Sequence, residues 1–230
     1  YGRSGHSFVG SALDAHANIC IAHEADAVRR CLDGDFEGPE QLFDYLHEHD
    51  KEILAAGRLT DNRWGEPYRQ SIEGQLKRDL SSVAVVGNKN GSIETGNDLE
   101  AFENRLARFE RFLGASICVK FLCVLRNPYD AGLLDPKVYE LLQLISERHA
   151  DRFMILRHEN FVSDLKGELA RLCQFLCVPF LESHFQAVQG SVFKKVHRSR
   201  YKIEYSKAEK TVIEESINTN SIFCGYSYDD

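Results

Sequence analysis

A short loop rich in small residues stands at the start of the sequence and has the composition of an anion-binding loop. It reads Arg3-Ser4-Gly5-His6-Ser7. The apolar spacing of residues 8–13 predicts that a helix follows directly. Main-chain N–H groups and the dipole at a helix N-terminus favour a phosphate or sulfate, and Arg3 adds a fixed positive fork. The alternative interpretation is an ordinary turn between a strand and a helix.

The same loop departs from the pattern that binds nucleoside triphosphates. That pattern requires a Lys followed by Ser or Thr after its last glycine, whereas Ser11 follows Gly10 here. A kinase-like function that depends on Mg²⁺ is therefore less favoured than one in which Arg and Lys side chains supply the positive charge.

The elements that must position these residues alternate between strands and helices. Short apolar runs predict strands at 18–22, 83–86, 117–125 and 153–156. Helical spacing predicts helices near 25–32, 41–56, 98–112, 137–149 and 165–176. This order predicts a single α/β domain over 1–230, P-loop-like, with three α/β/α layers and a mainly parallel central sheet. Since an anion-binding loop normally follows a strand, we expect a first strand before Tyr1, and 57–80 is interpreted as a loop or lid.

Polar residues follow the ends of the predicted strands, which is where ligands bind in parallel sheets. These polar segments are Gly2–Ser7, His23-Glu24, Gly87–Ser92, Arg126–Asp130 and Arg157–Asn160.

Composition narrows the classes of partner. The net charge of −7 argues against general nucleic-acid binding, and no apolar run is long enough to span a bilayer. The segment 194–202 nevertheless concentrates five Lys and Arg residues, which suits a small polyanion. An odd count of seven cysteines without a C-x-x-C pair predicts free thiols in a reducing compartment, hence a cytoplasmic protein, and no spacing predicts a metal site.

These motifs, taken together and in this order, resemble those of sulfotransferases that use 3′-phosphoadenosine 5′-phosphosulfate (PAPS). The opening loop is similar to their 5′-phosphosulfate loop. Val124–Asp130 is similar to their 3′-phosphate motif, and Arg157-His158-Glu159-Asn160-Phe161 to their R-Y-E-D-L tract. The likeness spans the chain, is strongest to a bacterial-type branch, and over the first 24 residues extends to tyrosylprotein sulfotransferases.

The resemblance implies a chemical role for four residues near the sulfuryl group. Arg3, with the loop amides of Ser4 to Ser7, would stabilise the leaving phosphate oxygen, and His6 would donate to the sulfonate. Lys89 would face the transferring group, unless it is only a solvated lysine in a turn. Glu24 matches the catalytic Glu of the tyrosylprotein enzymes by spacing and is the favoured base, with His23 as the neighbouring candidate.

The resemblance also implies how the nucleotide would be held. Arg126 would bind the 3′-phosphate, but Leu133 and Leu134 stand where relatives carry a Ser. Ser199, with Arg198 or Arg200, is the predicted replacement, and a solvated basic loop is the alternative. Phe8 would stack on adenine, or else pack in the core.

Arg157 and Glu159 are interpreted as scaffold residues that pair with the loop or the neighbouring strand. Three functions remain open at this point: a metal-independent PAPS-dependent sulfotransferase with PAP (3′-phosphoadenosine 5′-phosphate) as product, a catalytically lapsed binding protein of the same fold, and a nucleotide-dependent small-molecule kinase. The acceptor hydroxyl could belong to a small molecule, a glycan or a peptide. The oligomeric state is equally open.

Overall fold

A computed structural model describes residues 4–57, 59–60, 68–69, 71–72, 75, 79–90, 98–131, 136–192 and 195–229. Arg3, Leu133, Leu134 and most of the predicted 57–80 loop lie outside the described residues. The helices are α1 (His6–Asp14), α2 (Ala27–Asp33), α3 (Pro39–Ala55), α4 (Leu99–Leu113), α5 (Pro128–Ala131), α6 (Pro136–Arg148), α7 (His158–Ser163), α8 (Leu165–Leu176), α9 (Glu182–Gln189) and α10 (Lys207–Thr219). The strands are β1 (Ile19–His23), β2 (Leu59–Thr60), β3 (Tyr68–Arg69), β4 (Val85–Lys89), β5 (Phe121–Leu125) and β6 (Phe153–Arg157).

The longer helices begin and end where local chemistry dictates. The Asp98 side chain accepts a hydrogen bond from the Ala101 N–H at the start of α4, and Gly114 ends that helix. A capping box formed by Ser206 and Glu209 begins α10 in the same manner. Such caps satisfy main-chain groups that a helix end leaves without an intrahelical partner.

The longer strands pair in parallel, as the alternation of strands and helices predicts. Strand β1 pairs with β4 and β5 pairs with β6, while the short β2 and β3 pair antiparallel. Within the described part of the chain these are three separate pairs rather than one continuous sheet. The α/β fold class is confirmed.

Helices cover both faces of the parallel pairs, which gives three layers. On one face, apolar residues of β1, β5 and β6 pack with α1, α7, α8 and α9 in one hydrophobic cluster. On the other face, β1 and β4 pack against α3 and α4, and β5 and β6 pack against α4 and α6. Because α1 and α4 each contact both pairs, they hold the two pairs together in place of strand hydrogen bonds.

Two predicted strand boundaries are wrong. The sequence places the end of the fourth strand at Val86, with Gly87 opening a turn, yet β4 continues to Lys89. A Cβ atom at Gly87 would lie 2.7 Å from Ile21 Cδ1, so glycine here permits close strand packing rather than a turn. Strand β5 begins at Phe121 rather than at Ile117, because only residues from Phe121 onward pair with β6.

Within the described ranges, every helix is too short or too polar to cross a bilayer.

Gly5 and Gly34 allow a matched test of how tightly the opening loop packs. Both have left-handed φ angles of 86° and 88°, but a Cβ atom at Gly5 would lie 2.4 Å from His158 Nδ1, whereas Gly34 has nothing within 4 Å. Gly34→Ala should cost about 1–2 kcal/mol of unfolding free energy, from the left-handed backbone alone. Gly5→Ala should cost roughly 1–3 kcal/mol more, because the methyl group meets the imidazole ring. Urea unfolding measures both losses.

The matching control removes the ring rather than the glycine. In a His158→Ala background, the extra loss caused by Gly5→Ala should disappear. Equal losses for the two glycine variants in the natural background would contradict the close packing.

Candidate functional site

The ends of β1 and β4 bring together three of the polar side chains that the sequence singles out. His23 lies opposite Lys89 in the parallel register. Lys89 Nζ donates a hydrogen bond to Glu24 Oε1 over 2.7 Å and lies 3.2 Å from His23 Nε2. A cation, a carboxylate and an imidazole therefore meet where these two parallel strands end.

Burial of the Lys89–Glu24 pair is unequal. The Lys89 side chain is 7% exposed and the Glu24 side chain is 55% exposed. The hydrogen bond from Lys89 is the main cause that lowers the pKa of Glu24 below its ordinary value. Glu24 is thus an ionised carboxylate at neutral pH that solvent can reach, next to a cation that is nearly enclosed.

The main chain turns sharply just after β1. Glu24 and Asp26 have φ angles of 56° and 51°, a left-handed conformation that costs non-glycine residues energy. The Glu24 N–H donates to the Lys89 carbonyl over 2.7 Å, and the Ala25 N–H donates to Asn88 Oδ1 over 3.0 Å. These two hydrogen bonds to β4 hold the corner, so the position of the Glu24 carboxylate is tied to the strand that carries Lys89.

The opening loop leads into the N-terminus of α1. Gly5 precedes the helix in a left-handed conformation, and its carbonyl accepts hydrogen bonds from the N–H groups of Phe8 and Val9. Among the residues from Ser4 onward that the structure describes, no side chain caps this end of the helix, and Ser4 Oγ lies 3.0 Å from His6 Nδ1. The dipole of α1 at this end favours a negatively charged group.

His158 connects this loop with Arg126. Its ring occupies the space that a Cβ atom of Gly5 would fill. Burial lowers the pKa of His158, and the charge of Arg126 lowers it further, so the ring is neutral at neutral pH. The Nδ1 atom of His158 is buried without a hydrogen-bond partner in the described part of the chain. The sequence predicts no role for His158, whose only signal is that it replaces the Tyr of the R-Y-E-D-L tract.

Helix α1 lies beside both the Lys89–Glu24 pair and the loop at Gly5. A Cβ atom at Gly10 would lie 3.3 Å from Lys89 Cγ, so the lysine stem runs against α1. Gly5 stands five residues earlier, about 7.5 Å along the helix axis. The pair of Lys89 with Glu24, the loop at Gly5 and the guanidinium of Arg126 therefore lie at the same edge of the fold, as the sequence predicts for strand ends.

The turn after β5 carries Arg126 and is fixed by a distant segment. An Nη2 group of Arg126 donates to the His197 carbonyl. The Ser199 hydroxyl donates to the Asp130 carbonyl over 3.1 Å, and the Arg200 N–H donates to Asp130 Oδ1 over 2.8 Å. Arg200 and Asp130 also form an ion pair of 3.4 Å in which both side chains are almost fully buried.

The three basic-segment residues predicted to bind the 3′-phosphate thus differ in environment. Asp130 already engages Ser199 and Arg200, whereas Arg198 is exposed. The predicted adenine platform, Phe8, is half-buried and packs edge-on against Phe161 with ring centroids 6.3 Å apart. This contact matches the core-packing alternative that the sequence left open.

A buried histidine cluster lies along α1, away from these strand ends. His16, Cys173 and His184 offer ligand atoms within 4.8 Å of one another. However, His16 Nε2 lies 2.9 Å from the Pro179 carbonyl and its Nδ1 accepts from the Asn18 N–H over 3.1 Å, so hydrogen bonds engage both nitrogens. The arrangement fits a structural role for His16, which ties together two segments of main chain.

A solved structure with a similar fold is the sulfotransferase domain from the olefin synthase of Synechococcus PCC 7002. The likeness has a TM-score of 0.53 at 15% sequence identity and covers 95% of this chain and 90% of that chain. No known family profile and no curated protein matches the chain. The chain therefore has a sulfotransferase fold, and the chemistry it performs must be inferred from its own residues.

Arg198 and Arg200 give a test of which arginine is structural. Replacing Arg200 with Met leaves Asp130 buried and unpaired, so we expect a loss of about 3–5 kcal/mol in unfolding free energy. Arg198→Met removes an exposed side chain and should change stability by less than about 0.5 kcal/mol. Urea unfolding distinguishes them; similar losses for both variants would contradict the buried ion pair.

Proposed function

We propose that this protein is a sulfotransferase that moves a sulfuryl group from PAPS to an acceptor hydroxyl. The observation that carries the proposal is the Lys89–Glu24 pair. The pair lies against α1, at the carboxyl ends of the strands, where the Gly5 loop and Arg126 also lie. Groups that can bind an anion, the Gly5 loop and Arg126, therefore lie at the same end of the strands as the solvent-accessible carboxylate of Glu24. The sulfotransferase fold supports the same assignment.

The residues at this edge fit a doubly phosphorylated adenosine. The N-terminus of α1 has no side-chain cap and favours an anion, and Gly5 brings the main chain close to His158. Arg126 lies close enough to His158 for its charge to lower the pKa of that ring, and it would bind a second phosphate, with Arg198 exposed nearby in the basic segment. When bound, PAPS supplies an activated sulfuryl group whose leaving group is a phosphate oxygen. Arg3, Ser4, His6 and Ser7 would hold that oxygen.

Glu24 is proposed to act as the base. As the acceptor oxygen forms its bond to sulfur, the bond between sulfur and the phosphate oxygen breaks, and the hydroxyl proton passes to a Glu24 carboxylate oxygen. The pKa of Glu24, lowered mainly by Lys89, keeps that carboxylate ionised before the reaction. His23 contacts the same lysine and remains the competing base.

Lys89 is proposed to stabilise negative charge on the transferring group. Its ammonium group is nearly enclosed, and charge interactions gain strength where water is excluded. Since Lys89, Arg3 and Arg126 supply positive charge, we expect transfer to proceed without a divalent cation.

Donor binding is tested with PAP in buffer that contains a chelator. We expect calorimetry to detect PAP binding to the natural protein. Arg126→Ala should weaken it about 10- to 100-fold, because a charge-assisted hydrogen bond to the 3′-phosphate is lost. Affinity for adenosine 5′-phosphate, which lacks the 3′-phosphate, should stay the same.

Arg108→Ala is the matched control, since Arg108 also donates to a main-chain carbonyl but sits on α4. Its affinity for PAP should equal that of the natural protein. Tight binding of ATP that requires Mg²⁺, in place of PAP binding, would favour the kinase alternative and sink the proposal.

The base is tested by kinetics with radiolabelled PAPS and a panel of a phenol, a sugar, a lipid alcohol and a tyrosyl peptide. Glu24→Gln should lower kcat about 100- to 10,000-fold, because the proton of the hydroxyl has no acceptor. PAP affinity should change little. Asp26→Asn, which removes a carboxylate two residues further on, should keep most of the activity.

His23→Gln decides between the two candidate bases. If His23→Gln loses activity and Glu24→Gln retains it, the base is His23 and the Glu24 assignment is wrong. If the natural protein binds PAP yet sulfates no member of the panel, the lapsed binding protein becomes the better description.

A further inference from the structure

The C-terminal segment 224–228 packs against the turns that follow β5 and β6. The Ser227 carbonyl accepts a hydrogen bond from Asn127 Nδ2 over 2.7 Å, and the Cys224 carbonyl accepts one from Arg157 Nη2. The guanidinium of Arg157 also lies 4.7 Å from the ring centroid of Tyr226. The segment therefore touches the residue that directly follows Arg126.

The carboxylate of Glu159 links the C-terminal segment to the turn at Asn127. Glu159 Oε1 accepts a hydrogen bond from the Asn127 N–H over 2.9 Å, and Glu159 Oε2 accepts one from the Tyr226 hydroxyl over 2.8 Å. Asn127 is 1% exposed, and its Oδ1 atom accepts from the Tyr129 N–H at the start of α5. The main chain at Asn127 is thus held through Glu159, and Glu159 is held by Tyr226.

The hydroxyl of Tyr226 serves as a donor in this arrangement. Tyr226 is 8% exposed. Burial, together with the nearby Glu159 carboxylate, raises the pKa of Tyr226 far above its ordinary value, so the group keeps its proton. A hydrogen bond to an ionised carboxylate is also stronger than one between neutral groups.

We propose that Tyr226 is a positioning residue that acts through Glu159 and Asn127 to orient Arg126 toward the 3′-phosphate of the nucleotide. The inference rests on the proposed function, since it assigns Arg126 to that phosphate. In this role Tyr226 acts through its hydrogen bond to Glu159 and not by contact with the nucleotide. The C-terminal segment is therefore part of the binding site through its effect on one arginine.

A positioning role predicts a selective loss of affinity. Tyr226→Phe removes only the hydroxyl, which leaves Glu159 Oε2 without its donor and frees the Asn127 turn to move. PAP affinity should fall about tenfold, since one hydrogen bond to a charged group is lost. Affinity for adenosine 5′-phosphate should not change, because that ligand does not need Arg126. A merely structural role would weaken both ligands equally.

Tyr228→Phe is the matched control in the same segment. Within the described part of the chain the hydroxyl of Tyr228 forms no hydrogen bond, while its ring packs at 5.0 Å from that of Tyr129 and under Lys210. Removal of that hydroxyl should leave the affinity for both nucleotides unchanged. An equal loss of PAP affinity in Tyr228→Phe would overturn the assignment to Tyr226.

A double-mutant cycle tests whether Tyr226 acts through Arg126. In an Arg126→Ala background, Tyr226→Phe should cause no further loss of PAP affinity. A loss that persists in that background, or no loss in the natural background, overturns the inference.

Hydrogen exchange of the ligand-free protein separates this inference from the proposed function. Tyr226→Phe should speed exchange of the Asn127 amide by about tenfold, whereas Tyr228→Phe should not. Unchanged exchange at Asn127 overturns the positioning role even if PAP binds. Failure of the natural protein to bind PAP would instead overturn the proposed function, and with it the 3′-phosphate as the target of Arg126.

Discussion

The parallel register between β1 and β4 is the constraint on which the candidate site depends. It sets His23 opposite Lys89 and continues one residue further through the hydrogen bond from the Glu24 N–H to the Lys89 carbonyl. Successive side chains of a strand point to opposite faces, so a shift by one residue would carry Lys89 away from α1 and from Glu24. Gly87 contributes to this register because its missing side chain admits Ile21. Lys89 meets Glu24 and His23, which lie 65 and 66 residues earlier in the sequence, only in this alignment.

The part of the candidate site that carries Arg126 is built differently, by residues from the second half of the chain. Two carboxylates, the buried Asp130 and the half-buried Glu159, organise it: Asp130 binds the segment at Ser199 and Arg200, and Glu159 binds the segment at Tyr226. Each carboxylate satisfies main-chain N–H groups as well as a side chain, which is how buried charge is tolerated in a protein interior. Arg200 is thus committed to holding the framework, whereas Arg198 remains exposed to solvent.

Sequence patterns predicted the fold class and the edge at which the polar residues gather, because both follow from local periodicity and from the rule that parallel strands end together. They could not predict the partners of those residues. Asp130 meets Arg200 across 70 residues of sequence, and no local signal in the basic segment separates Arg200 from the exposed Arg198. Phe8 shows the same limit, since one aromatic residue on a helix fits a core position as well as a base platform. The contact of His158 with Gly5 arises only from the packing of α1 beside the end of β6.

The left-handed conformation at Glu24 and Asp26 has a consequence for how the protein responds to heat. Each residue adopts a shape that disfavours folding by about 1–2 kcal/mol, and hydrogen bonds from this corner to β4 help to hold it there. A corner of this kind opens at lower temperature than the apolar clusters that surround the strands. Warming should therefore displace the Glu24 carboxylate while the layers behind it stay packed, so that loss of the proposed activity and melting become two separate events.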